Sequence, residues 1–301
     1  MSAVAAVIAL LIEQWRPLGE RNAVLEQLAR WADGLERSFN GGEAQHGLVA
    51  WLVAVLPALA ASLAAYLLLA WVHPLLALAF NVAVLYFTLG FRQVSHYFTD
   101  LQAAVRVGDL ERARELIGAW RGEPAQHLSR EEVIRLAIEE ALLAAHRHVF
   151  GVLLWFALLP GPTGAILYRL ALVLRRRWRG MGAFGGFAAQ AVRVLEWPAV
   201  RLTAASFAVV GDFEDAAYCW RVQAAAWPDP EAGVVLAAGA GALGVRLGMP
   251  VSAPGGMEPR PELGVGEAAD AQHLDGVVGL VWRALVLWVF VLLLISVARA
   301  L

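Results

Sequence analysis

Twenty-five consecutive residues without a charge, Leu48 to Val72, constrain this chain more than any other feature. At about 1.5 Å of rise per residue, a helix of that length exceeds the ~30 Å hydrocarbon core of a bilayer. Pro57 lies inside the stretch and is expected to kink the helix without ending it. His73-Pro74 then marks a tight turn, and Leu75 to Phe91 follows with no charge and one amide, Asn81. The two segments read as an antiparallel transmembrane hairpin. A last block, Leu280 to Ala298, carries Arg283 near its start, where the side chain can snorkel to the interface. Composition agrees: 59% of residues are hydrophobic, 17% are charged and the mean hydropathy is +0.60. Soluble domains run near 45–50% apolar and about 25% charged. The expected fold class is all-α, a polytopic integral membrane protein.

A fourth apolar block, Val149 to Tyr168, is divided by Pro160-Gly161-Pro162 and followed by Arg169 and Arg175-Arg176-Arg177. It reads either as one broken span or as a re-entrant pair of half-helices. Arginine bias favours re-entry. Arg16, Arg21, Arg30 and Arg37 precede the hairpin, and Arg92, Arg106, Arg112 and Arg114 follow it, which the positive-inside rule makes cytoplasmic. Arg175, Arg176, Arg177 and Arg179 belong on that same side. The expected organisation is an N-terminal anchor with an amphipathic helix (1–47), a transmembrane hairpin (48–91) and cytoplasmic helices (92–148). A broken or re-entrant membrane helix (149–174), cytoplasmic helices with a loop (175–276) and a C-terminal transmembrane helix (277–301) complete it. The setting implied is a bacterial inner membrane with most polar segments cytoplasmic. The first twelve residues are apolar but too short to span. With no basic stretch ahead of them they read as an in-plane anchor or a partly inserted helix, not as a signal peptide.

Elsewhere the pattern is that of helices in water. Val24, Leu28, Trp31, Leu35 and Phe39 recur at helical spacing among charges, and Gly41-Gly42 ends that helix. Gly108-Asp109 separates two short helices, the glycine ending one and the aspartate capping the next. Ser129 with Glu132 forms a capping box. On the helix it opens, Arg135, Glu139 and His146 share a face that reads as solvated. Glu140 and Arg147 stand seven residues apart, about 10 Å along the axis, too far to pair, so each needs a partner elsewhere. Pro250 to Asp270, rich in proline and glycine, reads as a surface loop.

Several chemistries are excluded. All 24 basic residues are arginine, so a Walker-type phosphate loop and Schiff-base or pyridoxal chemistry lack their amine. A net charge of −2 carries no nucleic-acid footprint. The single cysteine, Cys219, has no partner for an internal disulfide, and Tyr218-Cys-Trp220 reads as helix packing. The glycines of Gly180 to Gly186 mark a hinge, and those of Gly239-Ala-Gly241-Ala-Leu-Gly244 mark close helix contact. The seven histidines are scattered with no metal-ligand spacing.

The middle and end of the chain resemble the CobD/CbiB family, membrane enzymes of late cobalamin synthesis, and their AmpE-like sister branch. Gly108-Asp-Leu-Glu-Arg-Ala-Arg114 is similar to the family's GDLxxAR helix, and Leu128-Ser129, Arg135 to Glu139 and Tyr168-Arg169 continue the likeness. Phe184-Gly185 through Arg201-Leu-Thr-Ala204 resembles FG…PARLTA, and Asp229-Pro-Glu-Ala-Gly233 stands where the family has SPNAG. Ala240 to Gly244, Arg246-Leu-Gly248 and Arg260-Pro-Glu-Leu-Gly264 resemble AGALGVxLGG and RPxLG. About two-thirds of the chain is covered, in order.

The resemblance implies adenosylcobinamide-phosphate synthesis, in which ATP and Mg²⁺ serve to join an amino-alcohol phosphate to a corrinoid carboxylate. Of the family's ETVAENxxDG motif only Glu139 remains, with Leu143, Ala144 and Arg147 at its other polar positions. Its LDD pair falls on Val192 and Arg193, and SPN has become Asp229-Pro230-Glu231. Its N-terminal GDP is absent near Ile12-Glu13-Gln14. These departures, with Leu11-Ile-Glu13 and Val194 to Trp197, read closer to the AmpE-like branch and to a degenerate active site. The expected function is a non-catalytic membrane sensor or signalling modulator; the synthase is the alternative, and a structural subunit of a membrane complex the third reading. No catalytic residue, metal site or bound cofactor is assigned. Tyr168, Arg169, Arg175, Arg176 and Arg201 are expected to form a basic rim for an anionic small ligand or lipid headgroup. Glu139, Glu140, Arg147, Asp229 and Glu231 complete the candidate set. The bilayer, a membrane protein partner or a second copy of the chain are the expected partners, and nucleic acid is not.

Overall fold

The computed structural model describes residues 2–15 and 23–298. Arg16, Glu20 and Arg21 lie outside the described residues, as do the side chains of Val24, Glu26 and Arg92. The helices run in order: α1 (Ser2–Trp15), α2 (Ala23–Phe39), α3 (Ala44–Val72), α4 (Pro74–Thr88), α5 (Phe91–Val107), α6 (Leu110–Arg121) and α7 (Arg130–Ala145). A π-helical turn (His146–Phe150) leads into α8 (Gly151–Leu158), α9 (Thr163–Arg177), α10 (Gly182–Val210), α11 (Phe213–Val222) and α12 (Pro230–Leu243). Five short strands follow, β1 (Val245–Gly248), β2 (Val251–Ala253), β3 (Gly256–Glu258), β4 (Glu262–Leu263) and β5 (Glu267–Ala268), before α13 (Ala271–Ala298). The protein is an all-α polytopic membrane protein. Among the described residues, three helical runs are long and apolar enough to cross a bilayer, Ala44–Val72, Arg130–Leu158 and Ala271–Ala298.

The chain divides into two compact units, one of residues 1–90, 151–198 and 289–301, the other of residues 91–150 and 199–288. In the first, α3 runs unbroken through Pro57 and stops at His73. The His73 Nδ1 accepts the Leu75 N–H at 3.2 Å, and Pro74 opens α4, where its missing N–H costs nothing. α4, at 15 residues, belongs among the shorter apolar helices. α1 packs on α4, and α2 lies against α3 and α9. The fourth apolar block is a helix–turn–helix: α8 and α9 fold onto each other around Pro160-Gly161-Pro162, with Gly161 left-handed at φ +60°. Gly164 permits the closest approach, since a Cβ there would stand 1.8 Å from the Trp155 carbonyl oxygen. The core gathers Ala32 and Leu35, Ala50, Ala54 and Val55, Leu170, Leu174 and Trp178, and Phe184 and Ala188.

In the second unit the local signals work as written. Gly108 is left-handed at φ +78°, the Asp109 carboxylate accepts the Arg112 N–H at 3.0 Å, and both halves of the Ser129–Glu132 capping box are formed. α5 and α6 pack together and against α7. α12 lies on α11 and α7 through its small residues. A Cβ on Gly241 would sit 2.4 Å from the Asp215 carbonyl oxygen, and one on Gly239 would sit 2.7 Å from the Leu142 side chain. The segment 250–270 departs from the loop expected of it. β2 and β3 form a two-stranded antiparallel ribbon, and β1 pairs with β4 antiparallel and with β5 parallel. Val251, Leu263, Gly264 and Ala269 are buried, so this proline-rich stretch is anchored by packed residues while most of it is exposed.

Candidate functional site

The face of α7 expected to be solvated is the inner one. Arg135, Glu139 and His146 are each no more than 3% exposed. Glu132, Arg135 and Glu139 stand at i, i+3 and i+7, one side of a helix, and each meets the strand segment. The Ser252 N–H donates to Glu132 Oε1 at 2.7 Å, and Arg135 Nη2 donates to the Pro250 carbonyl at 2.8 Å. The Gly248 N–H donates to Glu139 Oε1 at 2.9 Å, and Arg260 pairs with Glu139 Oε2. Periodicity could not reveal this, because a helix face of charges is buried only when another segment supplies matching charges and amides. The sequence signal lay in the matched charges on two distant segments.

Glu139 is the centre of this cluster. Arg260 also lies over the Trp227 ring, 4.7 Å from its centroid, so the guanidinium is held by a carboxylate and an aromatic face together. Gly248 and Met249 are consecutive left-handed residues at φ +69° and +61°. Only glycine fits at 248, where a Cβ would meet the Pro261 carbonyl oxygen at 2.0 Å. Gln223 clamps the segment from the other side, donating to the Gly264 carbonyl at 3.1 Å and accepting its N–H at 2.6 Å. Two segments more than a hundred residues apart, α7 and the strand stretch holding Gly248 and Arg260, thus converge on one carboxylate.

The other candidates divide between the units. Glu140 meets Arg121 at 3.3 Å, the partner its position called for, and Arg147 is half-buried on the π turn. Asp229 caps α12 through the Ala232 N–H at 3.4 Å, with Glu231 beside it in the first turn. Arg201 is half-buried on the second unit's part of α10. In the first unit Tyr168 is fully buried and Arg169 nearly so, which removes both from an open basic rim. The reason is local: Gly151 has no Cβ, and one placed there would stand 2.5 Å from the Tyr168 ring. Glu13, also buried, acts electrostatically on Arg169. Arg175 turns inward to buried Glu196 at 2.9 Å, and Arg176 alone of the expected rim is exposed.

The acids on α11 and at the start of α12 do not converge on a divalent-cation site. Asp212, Glu214 and Asp215 open α11, and the Asp212 N–H donates to the Ala242 carbonyl at 3.1 Å, near the end of α12. Asp229 and Glu231 are at the start of that helix, about 20 Å away at helical rise. Among the described residues no group of three or more His, Cys, Asp or Glu is placed to hold a metal ion. The described side chains therefore do not build a magnesium cage.

Two comparisons identify the lineage. Residues 3–281 match the model of the CobD/Cbib protein family. The chain belongs to the CobD/CbiB family. It is 37% identical over 306 residues to the Cobalamin biosynthesis protein CobD of Stutzerimonas stutzeri strain A1501, covering 97% of this chain and 98% of that one. The protein of the same name from Chromobacterium violaceum is 37% identical over 238 residues, covering 77% and 76% of the two chains. That from Leptospira interrogans serovar copenhageni is 25% identical over 187 residues, 58% of each chain. No solved structure matches. In this CobD/CbiB chain the family-like stretches around Glu139, Gly248 and Arg260 are therefore the ones that meet at the buried carboxylate, and the likeness extends well beyond the two-thirds legible from motifs.

Proposed function

We propose that this CobD/CbiB protein is the synthase: it joins an amino-alcohol phosphate to a corrinoid carboxylate as an amide, at the expense of ATP. The observation that carries the reading is the near-complete collinearity with a relative named for cobalamin biosynthesis. That name sets the synthase above the sensor reading. The Glu139 cluster supports it in one respect. The retained acid of the family motif is held on both oxygens, and a carboxylate so fixed keeps α7 and the strand segment in one arrangement whatever binds beside them.

Magnesium usually enters such sites on the nucleotide phosphates with one or two protein carboxylates and several waters. The described acids do not make a cage, so no chemical step is assigned through the ion. What the chain itself supplies is a fixed scaffold in the second unit and an apolar body that keeps the reaction at the membrane.

An AmpE-like modulator is the second reading. Its support is specific: Leu143, Ala144 and Arg147 occupy positions where the family motif is polar or acidic. One experiment separates the two. The gene is placed in a strain lacking its own synthase, with membrane insertion checked by fractionation, and the purified protein is assayed for corrinoid amidation. Rescue together with amide product supports the synthase. An inserted, folded protein that gives neither removes it and leaves the modulator.

A further inference from the structure

The first unit carries a group of arginines at the level where its spanning helix becomes charge-free. Gly47, one residue before the stretch Leu48 to Val72, packs on the backbone of Phe184, since a Cβ there would lie 2.0 Å from the Phe184 carbonyl oxygen. Gly185 packs equally closely on the Trp178 carbonyl, at 2.2 Å. The turn from α9 to α10 is thereby pinned beside the start of the apolar stretch of α3. Trp51, one helical turn further, sets its ring edge-on to Phe187 at 5.5 Å, an aromatic pair at the depth where aromatic side chains mark the membrane–water boundary.

Arg176, Arg177 and Arg179 surround that turn, and all three are exposed. α2 adds to them. The Trp178 indole donates to the Ala32 carbonyl at 3.2 Å, and Arg177 Nη2 pairs with Asp33 Oδ2 at 2.9 Å. Arg37 Nε donates to the Asp33 carbonyl at 3.2 Å, which brings a fourth exposed guanidinium to the same place. The acids nearby are already engaged: Asp33 by Arg177, Glu36 by the Asn40 amide at 2.9 Å, and Glu43 by the Gln45 amide. Four cations stand against three carboxylates, only one of them in an ion pair, beside the start of the charge-free stretch of α3.

We propose that this end of the first unit binds the phosphate of anionic membrane phospholipids. Guanidinium groups bind phosphate oxygens in a bidentate fork, and each basic residue near an anionic surface adds about 1 kcal/mol, close to a fivefold change in affinity. The amphipathic helix α2 is then a headgroup-level platform whose apolar side closes over α3 and α9. This assignment is independent of the reaction proposed above.

The test uses the full chain in nanodiscs of phosphatidylcholine alone or mixed with phosphatidylglycerol, read by native mass spectrometry of retained lipid and by thermal unfolding. The variant combines Arg37→Gln, Arg176→Gln and Arg179→Gln and leaves Arg177 to tie α2 to α9. The wild-type protein is expected to enrich phosphatidylglycerol and to unfold at higher temperature in its presence. The variant loses about fivefold in enrichment for each arginine removed. Wild-type enrichment in a folded variant overturns the proposal. So does inorganic phosphate that reproduces the stabilisation in phosphatidylcholine discs, which would mark a site for a soluble anion. Arg179→Gln alone, beyond the end of α9, serves as the milder variant if the triple one does not fold, with the same two outcomes deciding.

Discussion

Glu139 is fixed from both sides, its Oε2 by the guanidinium of Arg260 and its Oε1 by the Gly248 N–H at 2.9 Å. The two side chains are 4% and 12% exposed, so the pair sits where a lone charge has no water to turn to.

Removing one partner is therefore costlier than removing both. Arg260→Met is expected to lower the unfolding free energy by about 3–5 kcal/mol, because it strands a buried carboxylate. Adding Glu139→Gln to that variant returns part of the loss. Thermal unfolding of the single and double variants in one detergent reads this directly; a double variant as unstable as the sum of its parts would contradict it.

Glycines at helix crossings divide into two kinds. Gly241→Ala presses a methyl onto the Asp215 carbonyl and should cost about 1–3 kcal/mol as α11 and α12 are forced apart. Gly186→Ala, within α10 and facing open space, should be neutral or stabilising by up to about 1 kcal/mol. Comparing the midpoints of the two variants checks the packing of α12 without reference to activity.

Thr203 Oγ1 meets His146 Nδ1 at 2.9 Å inside the second unit, and both side chains are buried. Thr203→Val keeps the shape and removes the hydroxyl, leaving the ring nitrogen unpaired at a cost of about 1–3 kcal/mol. The double change with His146→Leu should be closer to neutral than Thr203→Val alone, a difference that a mutant cycle on unfolding midpoints resolves.

The Cys219 thiol is buried, and burial, reinforced by the charge of Asp215, pushes its pKa up to about 11. At pH 8 only about one molecule in a thousand then carries the reactive thiolate. A maleimide should leave the folded protein unlabelled and label it stoichiometrically once unfolded. Rapid labelling in the folded state would place this cysteine at a surface.

Much of the local structure was legible from short-range chemistry. Asp109 after a left-handed Gly108, Ser129 with Glu132, and His73-Pro74 between apolar runs each act within four residues. Their outcome does not depend on what packs above them. The small residues of α12 were legible too, since a stripe of glycine and alanine is useful only where another backbone comes close. Family likeness was legible as ordered motifs, and its extent became clear once whole chains were compared.

The candidate site was less so. The charges of α7 repeat at helical spacing, and spacing alone is the same for a face in water and a face against a matching segment. Only the fold showed that Gly248, Ser252 and Arg260, more than a hundred residues away, complete that face. The same holds for the arginines. Tyr168-Arg169 and Arg175-Arg176-Arg177 are near neighbours in sequence, yet Arg169 is buried, Arg175 turns to Glu196 and Arg176 points outward.

By itself the sequence determined that the chain carries helices long and apolar enough for a bilayer, where several of them are capped, and to which lineage it belongs. These follow from local quantities: the length of a charge-free run, a capping side chain, a missing N–H, the order of motifs. Tertiary structure decided which charges are buried and with whom. Pairing energy depends on distances between segments remote along the chain, and no periodicity within one helix contains them.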